Sequence, residues 1–275
     1  MKSDIVFGQY VEGRSPIHKL DARIKIIIAI LYIVVIFLAK SVSAFALLAL
    51  SAGVFVGMTK ISPRLIMRSM KSLVFIILFT AIINIFWMTG DTLLLKFWVI
   101  EIYLEGVINA VLIVLRIMLL IIATSVFMTY TTTPLALTDA LEHLLSPLKK
   151  IKVPVHEFAM MMTIALRFIP TLIDETHKII NAQTARGADF SSGNIIKRAK
   201  ALIPILIPLF ISAFRRADEL ATAMECRCYT GGEGRTRMNV PKTATRDWVF
   251  LGCLVLLGGA VVLLNMYFPI YGLGV

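Results

Sequence analysis

Two arginines, each held between small residues, are the most specific candidate functional side chains in this chain. The sequence reads Ala185-Arg186-Gly187 at one place and Cys226-Arg227-Cys228 at another. A guanidinium presents five N–H donors in a planar fork, which suits bidentate binding of a carboxylate. Small neighbours remove bulk, so each arginine could enter a groove on another protein. A single arginine near a helix end is explained more simply by the helix dipole. Two matched triplets favour recognition of a partner.

Other candidates for chemistry are weak. Cys226 and Cys228 could bind a metal ion, but two thiols without a nearby His or a further Cys make a metal site improbable. The four histidines show no H-E-x-x-H spacing. The glycine-rich stretch 231–235 lacks the Lys-Ser/Thr ending of a nucleotide-binding loop, and we interpret it as the loop that closes the helix before it. No catalytic residue and no metal ligand is predicted.

Each arginine triplet closes a segment with helical periodicity. Because Pro is favoured in the first turn of a helix, the two helices are predicted to begin at Pro170 and Pro208. Apolar residues recur at three- and four-residue steps along one side of each helix. In the second helix they are Leu209, Phe210, Ala213, Phe214, Ala217, Leu220, Ala221 and Met224. These sides are expected to pack on each other or beneath membrane helices, with the arginine ends projecting away from the bilayer. A shorter helix is predicted at 134–145.

The composition places these helices in a membrane protein. Of the 275 residues, 58% are hydrophobic, and the mean hydropathy is +0.85, well above a typical soluble domain. The predicted fold class is an all-α membrane protein with about five transmembrane helices and additional cytoplasmic amphipathic helices. The predicted spans cover about 24–39, 42–58, 72–88, 106–127 and 248–268. The chain then divides into a membrane domain (1–129), a cytoplasmic helical domain (130–247) and a last span with its tail (248–275).

The distribution of charge predicts the topology. The net charge is +11, and 16 of the 28 Lys and Arg residues lie in 130–247. Basic loops stay on the cytoplasmic side of a membrane. The segments 1–25, 60–71 and 130–247 are basic, whereas the connector 89–105 is weakly acidic. The sequence therefore predicts a multi-pass protein of the cell membrane, with a cytoplasmic N-terminus and an external C-terminus.

Two further apolar runs, 157–173 and 201–214, are predicted not to span the membrane. The first carries Arg167 and Pro170, and the second carries Pro204 and Pro208. Runs of this length are more often buried or interfacial helices than spans. If both spanned, a basic cluster at 197–200 would be stranded outside.

Polar and small residues inside the predicted spans suggest packing roles. Gly53 and Gly57 form a small-xxx-small pattern that lets two helix backbones approach closely, although a glycine pair is tolerated in any membrane helix. Arg116 in the fourth span could pair with Asn84 in the third or with a partner protein, and a purely structural hydrogen bond is the simpler role. The three cysteines form no disulfide framework.

Five motif stretches give the chain a family resemblance. The chain resembles the transmembrane coupling component (T component) of energy-coupling factor transporters over nearly its whole length. The stretches that carry the resemblance are 18–25 (HKLDARIK), 133–142 (TPLALTDALE), 165–170 (ALRFIP), 185–189 (ARGAD) and 216–221 (RADELA). The two arginine triplets are characteristic of this family. Its second triplet is often Ala-Arg-Gly, whereas here Cys226 and Cys228 flank Arg227.

The resemblance implies a division of labour among subunits. Such a component joins the membrane to two ABC-type ATPase subunits through cytoplasmic coupling helices, and a separate small membrane protein, the S subunit, captures the vitamin or micronutrient. The six residues of the two triplets would bind the ATPases. The chain itself would be no enzyme and bind no cofactor, because ATP and Mg²⁺ would be bound by the ATPases, and nucleic acid is not among the expected partners. The alternatives are a T component dedicated to cobalt or nickel uptake, and a membrane-embedded enzyme with a cytosolic helical lobe.

Overall fold

The computed structural model describes residues 10–13, 15–71, 73–88, 92–97, 100–188, 190, 194–232 and 243–267. Helices dominate this part of the chain, as predicted. The α-helices are α1 (Ala22–Leu38), α2 (Val42–Thr59), α3 (Pro63–Lys71), α4 (Val74–Trp87), α5 (Leu104–Thr124), α6 (Pro134–Leu144), α7 (Val155–Ala185), α8 (Ile195–Cys226) and α9 (Thr245–Tyr267). A π-helical turn, Ser125–Thr129, extends α5, and a 3₁₀-helix, Ser146–Ile151, follows α6.

A short β-hairpin was not predicted from the sequence, and neither was helix α3 in the basic connector 60–71. Strand β1 (Leu93–Phe97) pairs antiparallel with β2 (Ile100–Tyr103) between α4 and α5. The register places Lys96 opposite Glu101. The predicted acidic connector 89–105 therefore contains regular structure in its described residues.

The chain forms two compact units. One consists of Met1–Ala140 together with Val240–Val275, and the other of Leu141–Asn239. The first unit contains α1 to α5 and α9, and the second contains α7 and α8. Helix α6 runs across the boundary in the sequence.

The core of the first unit centres on α1. Tyr32 is fully buried, and its hydroxyl donates to the carbonyl of Leu48 at 3.0 Å and lies 2.8 Å from Ser51 Oγ. Its ring meets Phe55 and Phe127 edge to face, at 5.6 and 6.3 Å between centroids. A polar hydroxyl inside an apolar bundle must be hydrogen-bonded, and here α2 supplies both partners.

A polar cluster closes one end of this core and explains the 18–25 motif. Asp21 caps α1 by accepting from the Arg23 N–H, and the Asp21 N–H in turn donates to Asp247 Oδ1. Lys25 is only 2% exposed. Its Nζ donates to the carbonyl of Thr131 at 2.7 Å and to that of His18 at 3.3 Å. The motif therefore joins the start of α1 to α9 and to the segment after α5.

The helices suited to crossing a membrane differ in part from the predicted spans. By length and composition they are α2, α5 with its π-helical turn, α7 and α9, and a fifth arises if α3 and α4, which meet at 62°, count as one span. The total of up to five agrees with the prediction. The third predicted span, however, contains only the 14-residue α4, about 21 Å long. It is short because the chain bends at the start of the apolar run.

Helices α1 and α7 account for the remaining difference. Helix α1 has 17 residues, about 25 Å against a hydrocarbon thickness of about 30 Å, so it is too short to be counted among the spans. Helix α7 is long enough to be counted because it extends far beyond its apolar run. Its placement outside the membrane stays a prediction that rests on Arg167 and Pro170. The predicted span ends at 72 and 268 lie outside the described residues.

Candidate partner-binding helix pair

Helices α7 and α8 are far longer than the two helices predicted from the sequence. They have 31 and 32 residues, and Pro170, Pro204 and Pro208 lie inside them. The prediction that Pro170 and Pro208 begin the helices is therefore wrong. A proline removes one backbone hydrogen bond, but its φ is compatible with a helix, and helix-forming residues on both sides continue the spiral. Proline alone was an insufficient signal for a helix start.

The two helices pack antiparallel. Near the C-terminal end of α7, Gln183 Nε2 donates to the carbonyl of Pro204 in the first half of α8, at 3.5 Å. At the other end, Ile164 of α7 and Met224 of α8 line the same groove. Gly232, which follows α8, lies against the ring of His156 at the start of α7. Each helix end therefore lies beside the opposite end of its neighbour.

This arrangement separates the two arginines. Pro204 and Met224 are 20 positions apart on α8, about 30 Å along a helix. Arg186 lies near one end of this distance and Arg227 near the other. If both arginine ends projected away from the bilayer, the C-termini of the two helices would point in the same direction. In an antiparallel pair they point in opposite directions. The pair instead presents one arginine at each end.

Both triplets form the same backbone structure. Helix α7 ends at Ala185, and Gly187 adopts a left-handed φ of 86°. The N–H groups of Gly187 and Ala188 donate to the carbonyls of Thr184 and Gln183. These two bonds define a Schellman motif, which satisfies carbonyls that the helix end would leave free. Arg186 is the capping residue.

The second triplet repeats this motif with cysteines. Helix α8 ends at Cys226, and Cys228 takes the left-handed position with φ 55°. The N–H groups of Cys228 and Tyr229 donate to the carbonyls of Glu225 and Met224. The predicted closure of this helix by stretch 231–235 is therefore corrected, because the Schellman motif at Arg227 and Cys228 already closes it. Gly231 has a φ of 99° in the following loop, and 233–235 lie outside the described residues.

All six residues of the two triplets are exposed to solvent. Neither arginine forms an ion pair with another residue that the structure describes. The two guanidinium groups thus stand at equivalent positions of two helix ends, with their donors unpaired by the described part of the chain. This geometry permits each to dock into an acidic groove. Their role in binding stays a prediction.

An ion pair joins α7 to α8 and was not predicted from the sequence. Glu175 of α7 accepts from Ser212 Oγ at 2.5 Å and from Arg216 Nη2 at 2.8 Å. The hydrogen bond from Ser212 is the main cause of a lowered pKa for Glu175, and the charge of Arg216 adds to it. Ser212 and Arg216 are one helical turn apart, which brings both to one side of α8. That spacing was the only signal of the ion pair in the sequence, and it does not identify Glu175 as the partner.

The apolar side predicted for α8 is only partly covered. A cavity of about 370 Å³ lies between the helices. Its lining on α8 consists of Ala213, Arg216, Ala217, Leu220, Ala221 and Met224. Phe210 and Phe214, predicted on the same side, are 65% and 63% exposed. Long helices that cross with small residues between them leave an open groove rather than a closed core.

The residues predicted to act within the spans have other surroundings. Arg116 Nη2 donates to the carbonyl of Ala39 at 2.9 Å, and its guanidinium lies 5.4 Å from the ring centroid of Phe45. Asn84 Nδ2 donates to the Thr80 carbonyl in its own helix. Arg116 and Asn84 therefore bind different groups in the described structure, and a structural hydrogen bond, the simpler role expected from the sequence, is present at Arg116. Arg116 satisfies a carbonyl that the end of α1 leaves free.

Among the residues that the structure describes, none packs closely against Gly53 or Gly57, so their predicted packing role has no partner there. A Cβ built on either glycine would meet no described atom within 4 Å. Of the glycines within the described helices, two others lie in close contact. A Cβ on Gly106 would lie 3.4 Å from the carbonyl oxygens of Ile85 and Met88, and one on Gly258 would lie 3.2 Å from Val35. Helix α5 thus approaches α4 at Gly106, and α9 approaches α1 at Gly258.

Comparison with known proteins relates the chain to a transporter family. The family model CbiQ, described as a cobalt transport protein, matches residues 13–238. The chain is 53% identical over 268 residues to the energy-coupling factor transporter transmembrane protein EcfT of Ruminiclostridium cellulolyticum, covering 98% of this chain and 100% of that protein. It is 51% identical to EcfT of Clostridium kluyveri over 94% of this chain and 95% of that one. The corresponding values for EcfT of Bacillus subtilis are 42%, 96% and 100%. The chain therefore belongs to the EcfT family of energy-coupling factor transporter transmembrane proteins.

Proposed function

We propose that this chain is the coupling subunit of an energy-coupling factor importer and carries no reaction of its own. Two ABC-type ATPase subunits bind the ends of α7 and α8. Nucleotide binding closes the ATPase pair and moves the two helices relative to each other. That motion passes to a membrane S subunit that holds a vitamin or another micronutrient. ATP and Mg²⁺ belong to the ATPases, and the chain binds neither.

One observation carries this proposal. Arg186 and Arg227 occupy the same capping position in two Schellman motifs, both are exposed, and the antiparallel packing separates them by about 30 Å. Two equivalent contacts at opposite ends of one helix pair fit two similar subunits, each receiving one arginine. The Glu175–Arg216 ion pair between α7 and α8 helps to transmit force from one end to the other.

The curated relatives favour a general energy-coupling factor module over a transporter dedicated to cobalt. The matched family model has a cobalt name, but the relatives with 42–53% identity are named for the energy-coupling factor transporter. We place the N-terminus and the α7–α8 pair in the cytoplasm and the C-terminus outside. The positive charge of 1–25, 60–71 and 130–247 supports this orientation.

The decisive experiment measures ATPase binding to arginine variants. The full chain, purified with its ATPases, is compared as wild type, Arg186→Ala, Arg227→Ala and the double variant. Loss of one desolvated charge-assisted contact costs roughly 2–5 kcal/mol, or about 30- to several-thousand-fold in affinity. Each single variant should still bind the ATPases, but with lower affinity. The double variant should lose both ATPase binding and substrate uptake.

Two further variants separate recognition from general charge effects. Arg167→Ala with Arg215→Ala removes the same charge from exposed positions of the same helices and should leave ATPase binding unchanged. The double Lys variant keeps the charge without the planar fork and should recover only part of the binding. Full ATPase retention by the double Ala variant would refute the coupling role. Full activity of the double Lys variant would indicate a helix-dipole role instead.

A further inference from the structure

Four cations lie in and just before α3, ahead of α4. They are Lys60, Arg64, Arg68 and Lys71, and we call them the basic stripe. All four are exposed, and the sequence from 60 to 71 contains no acidic residue. At 100° per residue, the three members on α3 fall within about 60° of one another around the helix axis. None of the four forms an ion pair with another described residue.

The opposite side of α3 is fixed to the first unit, so the stripe has a fixed direction. Ile66 is buried and packs with Ile61 and Tyr130. The Tyr130 hydroxyl donates to the Leu65 carbonyl and to Ser69 Oγ, both at 3.2 Å. The helix therefore cannot turn its cations inward to find internal partners.

The surroundings of the stripe indicate a membrane interface. Met67 borders the stripe on the helix surface and is 67% exposed. Helix α4 continues at 62° to α3 and exposes large apolar side chains such as Phe75 and Phe79. A short helix with a basic arc, an apolar flank and an adjoining apolar helix lies in the headgroup region of a bilayer. Cations at this depth attract anionic lipids.

We propose that the basic stripe binds the headgroups of anionic phospholipids. The phosphate oxygens accept from Arg64, Arg68 and Lys71, while Met67 enters the adjacent acyl region. An acidic protein surface would match the charge but would leave Met67 in a polar contact. The inference does not depend on the proposed coupling role, because it rests on α3 and its neighbours alone.

The test measures lipid preference directly. The full chain is reconstituted in phosphatidylcholine nanodiscs with trace spin-labelled phosphatidylglycerol or phosphatidylcholine, and the motionally restricted fraction is read by electron paramagnetic resonance. Wild type should prefer phosphatidylglycerol. Each cation removed should lower that preference by about fivefold. The variant Arg64→Gln/Arg68→Gln/Lys71→Gln should therefore approach the behaviour seen with phosphatidylcholine.

Matched controls keep the result interpretable. Lys149→Gln/Lys150→Gln/Lys152→Gln removes the same charge elsewhere and should retain the preference. Arg64→Lys/Arg68→Lys should retain it as well. If the triple Gln variant does not fold, 0.5 M salt should still abolish the preference of wild type, because exposed charges are screened. An unchanged preference in a folded triple Gln variant overturns the proposal. Persistence of the preference in salt also overturns it.

Discussion

At the scale of residues, the two arginine triplets share a backbone but differ at one decisive position. The left-handed residue after the cap is Gly187 in α7 and Cys228 in α8. Glycine adopts this conformation without steric cost, whereas a Cβ there costs roughly 1 kcal/mol. The small residues that flank each arginine therefore have a backbone role besides leaving room for a partner. The cap of α8 is the more strained of the two.

This difference predicts that Cys228→Gly stabilises the protein. The free energy of unfolding should rise by about 1 kcal/mol, because the strain at φ 55° is removed. Thermal unfolding in detergent would show the gain as a higher Tm. Gly187→Ala is the matched opposite and should lower the Tm. A Cys228→Gly variant less stable than wild type would contradict this account.

The buried position of Lys25 predicts that replacing this residue destabilises the protein. Lys25→Met removes the donor to the carbonyls of Thr131 and His18 and takes one cation away from Asp21 and Asp247, so that Asp21 keeps only Arg23 as an ion-pair partner among the described residues. The unfolding free energy should fall by about 3 kcal/mol, as when one partner of a buried charged cluster is lost. Lys19→Met is the control, since Lys19 is exposed. Equal stability of the two variants would show that the cluster is not held by Lys25.

At the scale of elements, the contact between α7 and α8 depends on few polar groups. The Glu175 carboxylate accepts hydrogen bonds from both Ser212 and Arg216, and an open groove lies beside this site. A helix pair with so little buried apolar surface can change its crossing geometry at low cost. Such a pair suits a component that transmits motion, and Glu175 is where its geometry is most constrained.

The lowered pKa of Glu175 predicts a pH dependence. Because the folded-state pKa lies below the ordinary value, the ionised pair stabilises the contact above the unfolded-state pKa of about 4.3. This stability is lost as the pH falls through the folded value. Spin labels at positions 178 and 215 should report a wider distance distribution on acidification. Glu175→Gln should show the wide distribution at neutral pH and little change with acid. A narrow distribution in that variant would remove Glu175 from this role.

At the scale of the whole molecule, the charge distribution determines how the chain should sit in a membrane. Its basic segments precede or follow apolar helices in a consistent alternation, and the connector 89–105 is the acidic exception. This pattern extends over the whole chain, so one accessible loop on the wrong side would invalidate the orientation.

Single-cysteine labelling tests that orientation. In a background of Cys226→Ala, Cys228→Gly and Cys253→Ala, a cysteine placed at position 91 should react with an impermeant maleimide from outside intact cells. One placed at position 192 should react only after permeabilisation, because the basic segment 130–247 stays cytoplasmic. External labelling at 192 would refute the proposed topology.

The sequence by itself determined what depends on neighbours along the chain. Apolar runs near bilayer length gave the all-α membrane class, the periodicity of 209–224 placed a helix, and the small-Arg-small triplets marked two helix ends. These signals are local, because a helix forms and ends through bonds between residues three to five positions apart. The motif stretches extended the inference to the family. All of these features can be predicted without knowing which helices are in contact.

Tertiary structure decided the remaining features, because they depend on residues far apart in the sequence. Helix α7 continues through Pro170, and α8 through two prolines, where local preference predicted a start. Arg116 binds the carbonyl of Ala39, 77 positions away, rather than Asn84. The antiparallel packing that sends Arg186 and Arg227 to opposite ends follows from contacts such as Gln183 with Pro204. A helix pattern specifies which side is apolar, but the direction and register of its neighbour depend on how complementary surfaces pack.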